Sequence, residues 1–354
     1  HARAQQARCH AELHDPTTHW SHAADATRAL YAACCYYAAL SMLAADSPSS
    51  ALRARDALRD LDHGLMLGDA THRSALLELC ERCEELIPQL YQGAAASLSR
   101  AERASTCARQ AAPRLLSGGH VARVELPSLI FFHNQFMATG TPALVAGAMQ
   151  GWSAVRRWTP HYLKAVAGHR TVPVEVGPHY LSPSFDERLM TVAAFVDDFL
   201  LGDGAAGVGY LAQHRLFEQI PRLLSDIEIP DYCSLALDDG ESDDAPSEPS
   251  VNAWLGPGCT VSPLHYDRYH NLLCQVAGSK YVRLYSPGES HRMYPHEAGV
   301  HTVSSRVLDP DAACASEFPD FANAAYVDLV LRPGEVRYIP PRWWHLVEGR
   351  GETS

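Results

Sequence analysis

The sequence predicts an α+β protein, a helical N-terminal region followed by an antiparallel β-barrel or jelly roll. Residues 25 to about 110 are rich in Ala and Leu, with apolar residues at helical spacing. Beyond residue 250, short apolar runs alternate with Pro/Gly turns and no long helix intervenes. The chain has 354 residues, 47% hydrophobic and 20% charged, enough for a sizeable core and for two domains. We expect these at 1–118 and 119–354, with the boundary in Pro113–Gly119 (PRLLSGG).

In the helical region, Ala54, Ala57, Leu58, Leu61 and Leu65 make one apolar stripe, and Leu76, Cys80, Cys83, Ile87 and Leu90 another. Cys80 and Cys83 fall on that stripe and have no second pair, so core packing is read over zinc or redox chemistry. Ser47-Pro48-Ser49-Ser50 separates two helices, and Gly64 and Gly68 mark a helix end. Leu30–Ala45 is apolar but short and broken by Ser41, which fits a buried helix better than a membrane span. No catalytic constellation converges here; docking, scaffolding or covering the second domain are the roles expected.

After the boundary, Pro127–Met137 opens a helix and Thr171–Val176 reads as a strand, at an edge because of Pro173. Ser184-x-x-Glu187 has the form of a capping box, followed by an apolar stripe Leu189, Val192, Ala193, Val196, Leu200 and a stop at Gly202. Residues 238–250 (DDGESDDAPSEPS) form an acidic, solvated loop without the spacing of a calcium site. Asn271–Val276 and Lys280–Tyr285 flank Ala277-Gly278-Ser279, a hairpin signal, with Val282 and Leu284 on one face. Tyr326–Leu331 leads through Arg332-Pro333-Gly334-Glu335, a type II turn, into Val336–Pro340.

The chemistry gathers at His265-Tyr266-Asp267. On a strand, residues two apart share a face, so the imidazole and the carboxylate converge. With His345 from a facing strand they would form the two-histidine, one-carboxylate set that leaves positions open on Fe(II). With 19 histidines and 41 acidic residues, about two His-x-acid matches arise by chance. The other, His10-Ala11-Glu12, lies in a polar stretch without strand pattern. Lys280, on the next strand, could point inward, where an ammonium needs an anion.

A net charge of −12 argues against binding nucleic-acid backbones and would favour a basic peptide. Ten cysteines without disulfide spacing suit a reducing compartment. The chain begins at His1, so sequence before it is expected.

Taken in order, NAWLGP, SPLHYD, KYVRLYSP, YPH, RPGE and IPPRWWH resemble the JmjC-domain oxygenases over residues 122–345, with a fainter likeness at LRDLDHGLMLG. The resemblance implies a double-stranded β-helix, a cupin-like jelly roll, that uses Fe(II), 2-oxoglutarate and dioxygen. It implies His265, Asp267 and His345 as metal ligands and Lys280 as partner of the distal carboxylate of 2-oxoglutarate. Tyr180, Ser262 and Asn271 match positions that hydrogen-bond the cosubstrate, and Trp254 matches an aromatic facing the substrate. The substrate class implied is a protein arginyl side chain, or a histone N-methyl-lysine in a chromatin role, in nucleus and cytoplasm without membrane attachment. A departure is the end of the chain: LVEGRGETS lacks the alternating pattern of a further strand, so an unpaired edge beside the His345 strand is expected. A non-catalytic interaction module is the alternative, and a cysteine peptidase at Cys259 or Cys274 has only residue type behind it.

Overall fold

A computed structural model describes residues 2–14, 24–44, 50–88, 118–235, 248–299 and 301–351. Four helices come first: α1 Ala2–Leu13, α2 Asp25–Leu43, α3 Ser50–Leu67 and α4 Arg73–Leu86. Both apolar stripes are buried as their spacing requires, from Ala54 to Leu65 and from Leu76 to Ile87. Leu90, Ser47-Pro48-Ser49 and most of the boundary segment and acidic loop lie outside the described residues. Helix α3 runs through Gly64 and ends at Gly68, whose N–H bonds the Gly64 carbonyl; a Cβ on Gly68 would meet that oxygen at 2.4 Å. Burial pushes the Cys83 thiol up to about 11 and Cys80 higher still, which fits inert packing. Among the described residues, no helix is long and apolar enough to cross a membrane.

Among the described residues twelve strands follow: β1 Ala122–Glu125, β2 Ala143–Ala146, β3 Thr171–Val176, β4 Asp186–Thr191, β5 Gly209–His214 and β6 Ala253–Leu255, then β7 Val261–Tyr266, β8 Asn271–Cys274, β9 Ser279–Tyr285, β10 Tyr326–Leu331, β11 Glu335–Ile339 and β12 Trp344–Arg350. They form three sheets, ordered β1-β2-β11-β8, β10-β9-β12-β7 and β4-β3-β5-β6. The first two oppose each other as a jelly roll. Between them lies an apolar layer including Val282, Leu284, Leu329, Leu331, Ile339 and Val347, flanked by Leu144 and Leu273. The other face of β9 carries Tyr281 and Tyr285 into a second cluster with Leu264, Trp344 and Phe321.

Four expectations are corrected. Residues 271–276 and 280–285 are not a hairpin: β8 pairs with β11, whereas β9 pairs with β10 and β12. Ala277-Gly278-Ser279 carries the chain from one sheet to the other, which is how a double-sheet barrel closes. Ser184 and Glu187 do not open a helix. Glu187 sits in β4 opposite Glu175, and the helix Val192–Phe195 is capped by Thr191, whose hydroxyl accepts from the Ala194 N–H.

Strand β3 is not an edge. It lies between β4 and β5, but its ladder to β5 uses only Glu175 and Val176, so Pro173 stands where one side is unpaired. Nor is there an open edge beside His345, because β12 pairs with β7 on one side and β9 on the other. Gly349 and Arg350, weak strand formers, are held by the β9 ladder, with the Gly349 N–H also donating to the Thr260 carbonyl. The turn before β11 agrees with expectation: Gly334 has φ +85°, as the third position of a type II turn requires.

Helices and barrel are joined through a buried carboxylate. Asp62 of α3 is fully buried; its Oδ1 accepts from Arg170 Nε and Nη2 and from Gln219 Nε2, and its Oδ2 accepts from the Thr171 N–H. Arg170 also pairs with Glu84 of α4.

Candidate metal and cosubstrate site

The site is built where β7 and β12 run side by side. His265 and His345 are direct cross-strand partners with ring centroids 4.2 Å apart. Asp267 lies one residue beyond the end of β7, and its Oδ2 is 3.6 Å from His345 Nε2. One ligand atom from each of the three falls within 4.8 Å of the others.

The strands also fix the rings. His265 Nδ1 lies 2.7 Å from the Pro263 carbonyl and His345 Nδ1 2.9 Å from the Trp343 carbonyl. Each contact requires the proton on Nδ1, which leaves Nε2 with a free lone pair. Burial, with His265 beside it, pushes His345 down to about 4, so its ring is neutral near pH 7. Asp267 Oδ2 accepts from Asn271 Nδ2 at 2.6 Å, and the Asp267 carbonyl accepts from the Arg342 N–H at 2.7 Å. Arg342 adopts φ +63° to make that approach. Two imidazole nitrogens and a carboxylate suit a single divalent ion with open positions.

Ser262 is three residues from His265 and in a regular strand would face away. A register shift pairs His345 with His265 but Val347 with Ser262, and this β-bulge turns Ser262 to the inner side. Asn271 is engaged by Asp267. Lys280 is 3% exposed on the inner face of β9, with its Nζ 3.1 Å from the Tyr210 hydroxyl. Tyr180 bonds Ser304, whose backbone bridges His265 on the side away from β12; burial raises its phenol. Trp254 stands partly exposed on β6, the edge strand beside β5.

Sequence reasoning missed Ser304, Tyr210, Glu175 and Arg342. Ser304 and Tyr210 arrive through non-local pairing and carry no local signal. Glu175 had one: in TVPVEV the valines at 172 and 174 face the core, so Glu175 faces the other way. It lines a small cavity with His179, Tyr210 and Thr260, and burial plus Glu187 across the ladder raises its carboxyl to about 7. His10 and Glu12 are exposed on α1 and take no part.

A jelly roll with two imidazoles and a carboxylate turned to one point is a cupin scaffold with a candidate site for one metal ion. Comparison with known proteins agrees: residues 128–354 match the cupin-like domain family. Lysine-specific demethylase 8 of Danio rerio is 38% identical over 328 residues, covering 90% of this chain and 77% of that protein. Jumonji C domain-containing protein 5 of Drosophila melanogaster is 35% identical over 347 residues, 95% of this chain and 81% of that one. A bifunctional peptidase and (3S)-lysyl hydroxylase of Homo sapiens is 29% identical over 253 residues, 63% of this chain and 78% of that one. The chain spans about half the length of two further relatives. It belongs to the cupin-like JmjC oxygenases.

Proposed function

We propose that the chain is an Fe(II)- and 2-oxoglutarate-dependent oxygenase that hydroxylates an arginyl side chain of a protein. The observation that carries this is the pair of Nε2 atoms and one carboxylate meeting at the mouth of a barrel, with the buried cation Lys280 deeper inside. When bound, ferrous iron couples the oxidative decarboxylation of 2-oxoglutarate, to succinate and CO₂, to conversion of a substrate C–H into C–OH by dioxygen.

The residues divide the remaining work. His265, Asp267 and His345 hold the metal, with ring and carboxylate orientation fixed by the Pro263 and Trp343 carbonyls and by Asn271. Lys280 anchors the distal carboxylate of the cosubstrate, and Tyr180, Ser262 and Asn271 border it. Glu175 is a half-buried carboxylate beside this region, and the neighbour that shifts it is another carboxylate, Glu187. It suits a cationic substrate side chain, which favours arginine and a basic peptide. Trp254 offers an exposed aromatic face for the same substrate. Free cysteines throughout the described residues fit the nucleus and cytoplasm as compartments.

N-methyl-lysine demethylation is the second reading, favoured by the name of the Danio rerio relative. There the N–CH₃ becomes N–CH₂OH and releases formaldehyde. Mass spectrometry of basic peptides incubated with protein, Fe(II) and 2-oxoglutarate separates the two. Gain of one oxygen on arginine supports the first, and loss of CH₂ from methyl-lysine supports the second. A binding-only module predicts neither, and succinate formation unchanged in His265→Ala would reject the oxygenase reading.

A further inference from the structure

Arg337 is the third residue of β11, and alternation puts it on the face opposite Val336 and Tyr338, which pack in the outer core. Its cross-strand partners are Leu144 and Leu273, and Ile339 lies two residues on, all members or neighbours of the layer between the two sheets. The side chain is therefore directed into the barrel interior, where it is 0% exposed. Its Nε, Nη1 and Nη2 have no hydrogen-bond partner among the described residues. Glu335, two residues earlier on the same face, is turned instead to Arg123 and the Arg332 N–H.

A guanidinium with five donors is not stable in an apolar layer without an anion. Elsewhere this fold does pair its buried arginines: Arg170 with Asp62 and Glu84, and Arg283 with Asp311 and the Tyr281 hydroxyl. Burial holds the Arg337 guanidinium down at about 9, and nothing described offsets it.

The register gives its depth. His345 lies across from Leu284 at the mouth, Val347 from Val282 in the middle, and Gly349 from Lys280 at the deep end. Lys280 also pairs with Leu331, the last residue of β10, from which a short turn crosses to β11. Arg337 thus sits between the metal ligands and the level of Lys280, on the opposing sheet. Lys280 Nζ donates to the Tyr210 hydroxyl rather than to a carboxylate. Two cations face one interior with no described carboxylate between them.

We infer that Arg337 is a second anchor for 2-oxoglutarate, sharing the distal carboxylate with Lys280; this rests on the cosubstrate assigned above. A carboxylate between an ammonium and a planar fork receives charge-assisted bonds from both sides. The same arrangement makes the cosubstrate-free barrel carry a cost that binding relieves.

The test is calorimetric titration of the whole chain with Mn(II) in place of iron, so that no turnover occurs, using 2-oxoglutarate and pyruvate, which lacks the distal carboxylate. Arg337→Leu is expected to weaken 2-oxoglutarate about ten- to a hundredfold and leave pyruvate unchanged. It is also expected to raise the melting temperature of the cosubstrate-free protein, which a merely structural arginine would not do. Should Arg337→Leu fail to fold, Arg337→Lys carries the test, with affinity for 2-oxoglutarate lowered several-fold and pyruvate unaltered. Equal 2-oxoglutarate affinity in the variant and wild type, with loss in Lys280→Ala, overturns the role of Arg337 and leaves the oxygenase reading intact. Wild-type protein that takes up no 2-oxoglutarate overturns both.

Discussion

Asn271 Nδ2 donates to Asp267 Oδ2 and so sets which way that carboxylate faces. Asn271→Ala should lower Mn(II) affinity by roughly ten- to a hundredfold, read by titration calorimetry, because an orienting hydrogen bond to a ligand is lost. Glu175 is the second residue with a measurable consequence. Its folded pKa of about 7 lies above the ordinary carboxylate value, so the folded state holds the proton more tightly than the unfolded one. Its contribution to stability is present below the unfolded value and is lost as pH rises through about 7. Binding of a basic peptide runs the other way and should strengthen over the same rise, as the carboxylate ionises. Glu187→Gln removes the repulsion across the β3–β4 ladder and should move that binding transition to lower pH. A transition that does not move would show that Glu175 is not the group involved. At this scale the sequence was most legible where chemistry is local: the i, i+2 spacing of His265 and Asp267 pointed to one meeting place, although Asp267 lies just past the end of β7 and is held there by Asn271 and the Arg342 N–H. Ser262 needed a bulge to join them, and no single-strand rule foresees one.

The element that holds the centre together is the turn from β11 into β12. Arg342 takes a left-handed conformation so that its N–H reaches the Asp267 carbonyl, and Trp343 Nε1 bonds the Gly140 carbonyl. Arg342→Val should cost about 1–3 kcal/mol in denaturant unfolding, because a β-branched side chain resists positive φ. Arg342→Gly should be tolerated, with metal affinity kept. Strand positions were readable from alternation and turn residues, but partners were not. β8 and β9 are adjacent in sequence and belong to opposite sheets, and Glu187 reads as a helix cap until β3 is seen beside it. Local signals name the element, and the sheet decides what it pairs with.

Across the whole molecule, the helices and the barrel meet at Asp62, whose four hydrogen bonds reach Arg170, Thr171 and Gln219. Asp62→Ala takes from Arg170 its nearer carboxylate, leaving it Glu84, and removes the acceptor of two further donors, and should cost about 3 kcal/mol, seen as a lower midpoint in thermal or urea unfolding. The same variant should separate one cooperative transition into two, followed by circular dichroism for the helices and by tryptophan fluorescence for the barrel, where five of the six tryptophans, Trp152, Trp158, Trp254, Trp343 and Trp344, lie. The apolar stripes made the helical region readable, but its attachment was not. An aspartate inside a stripe looks like an exposed residue until its arginine, more than a hundred positions away, is found.

The main-chain carbonyls that grip His265 and His345, and the amide that grips Asp267, belong to strands and a turn already secured by their own ladders. The arrangement of the three candidate ligands is therefore set by the fold itself. Treatment with a chelator should leave the far-ultraviolet spectrum and the single melting transition intact, unlike domains that need a metal to fold at all. On the iron-dependent reading proposed above, a more tightly held neighbour in the transition series would displace the iron and inactivate the enzyme without unfolding it.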